Sequence, residues 1–161
     1  MDAPVVPNLG YRDPRAAIRF LVTAFGFEEV VAYDGETEDT IAFAMLRWPR
    51  GGGVMLYTAD AGRTSIADLV TIAAATEGYP AFSVHVETEE PDALFARAVA
   101  AGARVVRPVQ DSPVGTRGFI VSDPEGLYWS FGTPLPRLVR GADGQWRPPP
   151  KGTANAADNR T

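Results

Sequence analysis

Hydrophobic and polar positions follow the same order of periodicities in two successive segments of the chain. In each segment a short alternating stretch precedes a run with apolar residues three and four positions apart, and three more strand-like stretches follow. Alternation with a period of two is typical of a strand with one buried face, and spacings of three and four indicate an amphipathic helix. Each segment therefore predicts the order strand, helix, strand, strand, strand.

The two predicted helices begin and end with the same signals. An acidic residue at the N-cap followed by proline at the first helical position favours helix initiation, because proline lacks an N–H that would be unpaired there. A glycine after the last apolar position favours a left-handed C-terminal cap. These signals are Asp13, Pro14 and Gly26 in the first helix and Glu90, Pro91 and Gly102 in the second.

The strand pattern divides the chain into two modules, a linker and a tail. Neither four-stranded half could bury one face alone, so we expect the modules to combine in a single α+β domain over residues 1–134. The linker, 59–80, carries apolar residues that predict a helical turn or two, and the Pro-rich tail, 135–161, predicts no regular structure, although Trp146 is a candidate contact with the body or a neighbouring subunit. The predicted strands are 5–11, 29–33, 40–47 and 53–58 in the first module (5–58), and 82–87, 104–109, 118–122 and 127–132 in the second (81–133).

Composition restricts the class of function. The chain of 161 residues is 45% hydrophobic and 22% charged, as in an ordinary soluble protein, and it has no apolar run near the ~20 residues of a membrane span. A net charge of −5 with no basic stripe argues against nucleic-acid binding, and the absence of cysteine excludes disulfides and thiolate metal sites. We therefore expect a cytoplasmic protein that binds neither membrane nor nucleic acid and takes a small organic ligand.

Several strings, in order in both modules, resemble the vicinal oxygen chelate superfamily of glyoxalases, bleomycin-resistance proteins and extradiol dioxygenases. The resemblance implies two βαβββ modules whose mixed sheets form a cup, with helices outside and the ligand inside. The strings are Tyr11-Arg12-Asp13-Pro14, Ala24-Phe25-Gly26-Phe27-Glu28, Ala100-Ala101-Gly102-Ala103, Gly115 with Arg117, and Asp123-Pro124-Glu125-Gly126 followed by Trp129, Phe131 and Gly132.

The resemblance also locates the positions where catalytic members hold a divalent ion. These four positions correspond here to Val6, Leu56 or Tyr57, Ser83 and Ser130. None supplies the imidazole, carboxylate or thiolate that a catalytic metal needs, so we expect no metal and no cofactor. Glyoxalase and dioxygenase chemistry through a protein-bound metal is then disfavoured.

His85 is the only histidine, and alternation along its strand places it on the same face as Ser83 and Glu87. Three roles remain open for it. It is a polar residue that hydrogen-bonds a neighbour or ligand, a general base paired with Glu87, or a ligand of a displaced metal.

Aromatic and methionine residues at the remaining cup positions predict a pocket for a flat, largely apolar molecule. Arg117 either meets a carboxylate or phosphate on that ligand or ties down its own loop. The sequence favours a non-catalytic homodimeric binder that sequesters a drug or natural product, as bleomycin-resistance proteins do. The alternatives are a lyase, isomerase or dioxygenase-type enzyme that uses His85 and Glu87 as acid and base or a displaced metal site, and an interaction module. The predicted ligand-binding residues are Phe43, Met45, Tyr57, His85, Glu87, Arg117, Phe119, Tyr128 and Ser130.

Overall fold

Two four-stranded sheets, one in each module, form the body of the protein. The computed structural model describes residues 5–37, 39–59, 82–113, 115–134 and 139–147. The first sheet has the order β1-β4-β3-β2 and the second β5-β8-β7-β6, and in each the first strand lies parallel to the last while the other pairs are antiparallel. The strands are β1 (Asn8–Tyr11), β2 (Glu28–Asp34), β3 (Ile41–Arg47), β4 (Gly53–Thr58), β5 (Ser83–Glu87), β6 (Arg104–Asp111), β7 (Arg117–Ser122) and β8 (Tyr128–Gly132).

The predicted pair of βαβββ modules and the α+β class are confirmed, with strand ends displaced by at most three residues. The two mixed sheets remain separate and do not close into one. In the described part of the chain, no helix is long and apolar enough to cross a membrane.

The helices form where the capping signals predict them. Helix α1 (Pro14–Phe20) starts at Asp13, whose Oδ1 accepts a hydrogen bond from the Ala16 N–H at 2.8 Å, and it continues as a π-helical turn, Leu21–Phe25, to Gly26 at φ 89°. Helix α2 (Pro91–Ala100) follows Glu90, whose side chain makes no capping hydrogen bond. The proline and glycine signals therefore locate both helices, while the apolar spacing did not predict the π-helical turn.

The core lies between the two helices and the inner faces of both sheets. Phe25, at the end of the π-helical turn, reaches across to the second module, where its ring centroid lies 5.3 Å from that of Trp129 and 4.7 Å from that of Phe131. Arg97 of α2 donates hydrogen bonds to the backbone carbonyls of Ala24 and Phe25. One continuous core therefore joins the modules.

A buried carboxylate also joins them. Asp123, in the turn between β7 and β8, accepts hydrogen bonds at Oδ2 from the Tyr11 hydroxyl (2.7 Å) and the Trp129 indole N–H (3.1 Å), and at Oδ1 from the N–H groups of Glu125 and Leu127 (both 3.0 Å). Burial raises the pKa of Asp123, although these four donors oppose that rise. Burial, together with the adjacent Asp123, raises the pKa of Tyr11 well above its usual value.

The tail corrects one expectation. Residues Val139–Arg140 (β9) and Trp146–Arg147 (β10) pair as an antiparallel hairpin, although the Pro-rich composition predicted no regular structure. Gly144 adopts φ 77° in the connecting turn, and an Asp-Gly pair favours such tight hairpins. The helical turn predicted in the linker lies in 60–81, outside the described residues.

Candidate functional site

Each sheet has a face turned away from the helices, which we call its open face. On the second sheet Val86 is buried against the core, while Ser83, His85 and Glu87 of the same strand are exposed on the open face. This is the arrangement that alternation along β5 predicts. In the neighbouring strand Trp129 is fully buried, and alternation places Ser130 beside His85 on the open face.

His85 has a hydroxyl partner. It lies directly opposite Ser130 in the parallel pairing of β5 with β8, and His85 Nδ1 is 3.1 Å from Ser130 Oγ. No hydrogen bond joins His85 to Glu87 within the described residues. The structure therefore shows an imidazole that is hydrogen-bonded to a neighbouring hydroxyl and not to a carboxylate.

A cleft of about 320 Å³ lies on the open face of the second sheet, and we call it the polar cleft because most of its lining residues are histidine, arginine, glutamine, serine or threonine. Gly118 and Gly132 face each other across β7 and β8 within it, so its floor lacks side chains at this point. A Cβ at Gly118 would lie 2.4 Å from the Phe131 carbonyl oxygen, so only glycine fits there. The described residues that line this cleft are His85, Arg107, Gln110, Ser112, Pro113, Thr116, Gly118, Ser130, Phe131, Gly132 and Thr133.

A second cleft, of about 420 Å³, separates the β3–β4 hairpin from β5. Its walls include Trp48 and Arg50 from the hairpin and both His85 and Glu87 from the strand. The Trp48 indole N–H donates to the Glu87 backbone carbonyl at 3.1 Å and so ties the hairpin to β5. His85 therefore borders both clefts.

The open face of the first sheet is apolar. Tyr33 and Phe43 are cross-strand neighbours whose stacked rings have centroids 6.3 Å apart, and Met45 lies directly opposite Met55. Tyr57 lies so close over Gly10 that a Cβ there would be 3.0 Å from its ring, so the glycine makes room for the phenol. Of the predicted pocket residues, Phe43, Met45, Tyr57 and Tyr128 border neither cleft.

Two predicted ligand contacts are placed elsewhere. Phe119 is fully buried in the core, where it stacks on Phe131 at 5.1 Å, so the expectation that it faces the ligand is wrong. Arg117 binds Asp92 through Nε and Nη2, both at 2.7 Å, and Asp111 through Nη1 at 3.0 Å. These carboxylates raise the pKa of Arg117 and occupy its guanidinium. This arrangement agrees with the second of the two predicted roles, in which Arg117 holds its own loop in place.

Comparison with known proteins identifies the family. The family model of the Glyoxalase/Bleomycin resistance protein/Dioxygenase superfamily matches residues 5–131. The chain belongs to this superfamily. An uncharacterized protein of Mycobacterium bovis is 32% identical over 135 residues, which cover 84% of this chain and 86% of that protein.

Solved structures agree with this membership. TioX from Micromonospora sp. ML1 is 32% identical, with a TM-score of 0.63 over 83% of this chain and 99% of that chain. A glyoxalase-related enzyme from Fulvimarina pelagi is 22% identical, with a TM-score of 0.60 over 91% of this chain and 98% of that chain, and at that identity it supports the fold alone.

The residues at the four metal positions of this superfamily do not fit a metal ion. Val6 is half-buried ahead of β1, and Leu56 is fully buried in the core. Tyr57 and Ser130 lie on the two open faces, and Ser83 is exposed at the start of β5. Hydroxyl and aliphatic side chains are poor ligands for the metals that these enzymes use. Among the described residues, no three histidine, aspartate or glutamate side chains converge on a point.

The polar cleft contains residues that the sequence patterns missed. Arg107 and Gln110 come from β6, and Thr116 and Thr133 flank β7 and β8. Thr116 and Thr133 lie within two residues of the paired glycines Gly118 and Gly132 in the sequence. Arg107 and Gln110 come close to those glycines only through the register of β6 with β7.

Proposed function

We propose that the protein binds a small, largely apolar or aromatic organic molecule without a protein-bound catalytic metal. The cleft of about 320 Å³ between His85 and the end of β6 carries this proposal. Its volume falls in the range of about 300–1,000 Å³ typical of small-ligand sites. Its position on β5 and β8, two of the strands that carry the metal positions of the superfamily, supports its use as the ligand site.

The apolar open face of the first sheet supports an aromatic component in the ligand. Phe43, Met45 and Tyr57 lie side by side there, and Tyr33 beside them is 61% exposed. Within one chain these side chains share neither cleft with His85. We therefore propose a homodimer, in which a second copy covers this face and its ligand.

Sequestration is favoured over catalysis by the partner of the imidazole. A histidine that acts as general base is usually oriented by a carboxylate, whereas His85 Nδ1 meets a serine hydroxyl. The enzyme alternative keeps one supporting observation, since His85 and Glu87 both line the cleft of about 420 Å³.

Native mass spectrometry of the untagged protein tests the metal-free assembly directly. We expect a dimer with less than about one equivalent of divalent ion per ten chains and a melting temperature unchanged by EDTA, because no three ligands converge among the described residues. Stoichiometric zinc, iron, nickel or manganese would contradict the proposal, and so would a fall in melting temperature on chelation.

Native mass spectrometry after incubation with a small-molecule extract of cells would identify a bound ligand. A second prediction concerns the affinity of two variants for that ligand. Tyr57→Ala is expected to weaken binding by about thirtyfold, because removing an aromatic anchor that the ligand and the second copy would bury costs about 2 kcal/mol. His85→Ala is expected to weaken it by about fivefold, as for one neutral hydrogen bond of about 1 kcal/mol. Calorimetry with both variants measures the two effects.

Recovery of the ligand separates binding from catalysis. An unchanged mass after prolonged incubation supports sequestration. A new mass that requires His85, with binding retained in His85→Ala, would establish the enzyme alternative, because removal of a general base lowers rate by about 10²–10⁴ and affects binding little.

A further inference from the structure

The charges around the polar cleft differ from those of the rest of the molecule. The chain has 20 acidic and 15 basic residues, yet none of the described residues that line this cleft is acidic. Arg107 supplies a fixed positive charge, and His85, Gln110 and several hydroxyl groups supply hydrogen-bond donors. Such a lining carries no charge that repels an anion and offers no carboxylate to a hard cation.

Arg107 is available to a ligand in a way that Arg117 is not. Arg117 already binds two aspartates, whereas Arg107 forms no ion pair or side-chain hydrogen bond with the described residues. An arginine without a carboxylate partner keeps its planar set of donors free for a carboxylate or phosphate group.

Strand register places Arg107 and His85 at opposite ends of one row across the sheet. His85 faces Ser130, Ser130 faces Ile120, and Ile120 faces Arg107. Three strand spacings of about 4.8 Å separate the two ends, roughly 14 Å between backbones. The long arginine and the imidazole can extend inward from those ends, which leaves room for a small group between them.

The hydroxyl groups beside this row have hydrogens to donate. Thr133 Oγ1 accepts from the Arg117 N–H at 3.0 Å, so its own hydrogen stays free. Ser112 Oγ and Thr116 Oγ1 are 2.8 Å apart and use one of their two hydrogens between them. The other is available to an acceptor in the cleft.

We propose that this cleft binds an anionic group of the ligand, a carboxylate or a phosphate, with Arg107 as its ionic partner and His85 at the opposite wall. The proposal rests on the small-molecule binding proposed above and adds the chemical class of the ligand. The sequence leaves Arg117 either as an anion contact or as a tie for its own loop. Because its guanidinium binds two aspartates, the anion contact falls to Arg107 instead.

Matched aromatic probes test the anion requirement by calorimetry. The probes are naphthoate, naphthyl phosphate and the neutral naphthamide, which keep the same ring system. At least one anion is expected to bind about tenfold or more tightly than the amide, and the tighter of the two identifies the anion class. Equal affinity for all three would overturn the anion proposal and leave aromatic binding intact, whereas no binding of any probe would contradict both.

Arginine variants on one strand locate the site. Arg107→Gln is expected to lower affinity for the preferred anion about tenfold or more and to change naphthamide affinity less than twofold. Arg104→Gln is the matched control, because Arg104 lies on β6 outside the cleft and donates to Ser122 Oγ. It should bind like the wild type, and an Arg107→Gln protein that does the same would overturn the assignment.

The single histidine gives an internal reporter. In a proton–nitrogen correlation spectrum of the untagged protein, the imidazole signals can come from His85 alone. They are expected to shift with the preferred anion and to stay in place when the same concentration is added to Arg107→Gln. Anion binding that leaves the imidazole signals of the wild type unmoved would show that the anion lies elsewhere.

Discussion

Asp123→Ala protein is expected to unfold with a free energy about 3–5 kcal/mol below that of the wild type. The substitution removes the acceptor of four hydrogen bonds and leaves the hydroxyl of Tyr11 and the indole N–H of Trp129 without partners in the core. Each buried group left unsatisfied costs about 1–3 kcal/mol. Urea unfolding followed by tryptophan fluorescence measures the loss.

Two comparison variants show whether the loss of stability comes from the hydrogen bonds of Asp123. Asp123→Asn keeps the side-chain volume but directs an amide N–H₂ at the indole or backbone donors, so its stability should lie between those of the wild type and the alanine variant. Asp111→Ala removes a carboxylate of which 79% is exposed, and its unfolding midpoint should stay near the wild type. Equal midpoints for Asp123→Ala and Asp111→Ala would show that the buried network adds nothing.

Phe25→Ala is expected to lower the free energy of unfolding by about 3–5 kcal/mol, the usual cost of emptying a large aromatic site in a core. Phe25 is fully buried and contacts Phe20, Trp129 and Phe131, so its loss opens a cavity where the first module meets the second sheet. Thermal and chemical unfolding of the variant check this value.

Val22→Ala is the control from the same π-helical turn. Val22 is 38% exposed, so removing its two methyl groups should cost less than about 1 kcal/mol. If both variants lost the same free energy, the loss could not be attributed to the core contacts of Phe25 between the modules, because alanine itself favours the helix at both positions.

The sequence predicted the modules because their signals are local. Asp13 and Pro14 set the start of α1, Gly26 sets its end, and alternation along β5 places His85 on the open face. Each of these features depends on a few neighbouring residues, so the sequence contains the information without any knowledge of partners across the fold.

The parts of the site that the sequence missed depend on pairing between distant strands. Residues 118–122 combine glycine, apolar residues and serine without clear alternation, so the inward direction of Phe119 follows only from its pairing with Phe131. Arg107 reaches the cleft through a register that shifts on both sides of it, between Val105 and Arg107 and again before Gln110. Such irregularities move the side chains that follow them to the other face of the sheet, and the amino-acid composition of the strand does not reveal them.

The hydrogen bonds between the end of β1 and the β7–β8 turn also determine when the first module can be completed during synthesis on the ribosome. The Tyr11 hydroxyl meets Asp123, and the backbone N–H groups of Arg12 and Asp13 donate to the Glu125 carboxylate at 2.9 and 2.8 Å, so partners 112 or 113 residues apart complete one another. While a ribosome still holds the second module, the start of α1 has none of these acceptors. Contacts between residues so distant in sequence form slowly. The nascent first module must therefore persist with part of its core exposed until the β7–β8 turn and β8 have been synthesised.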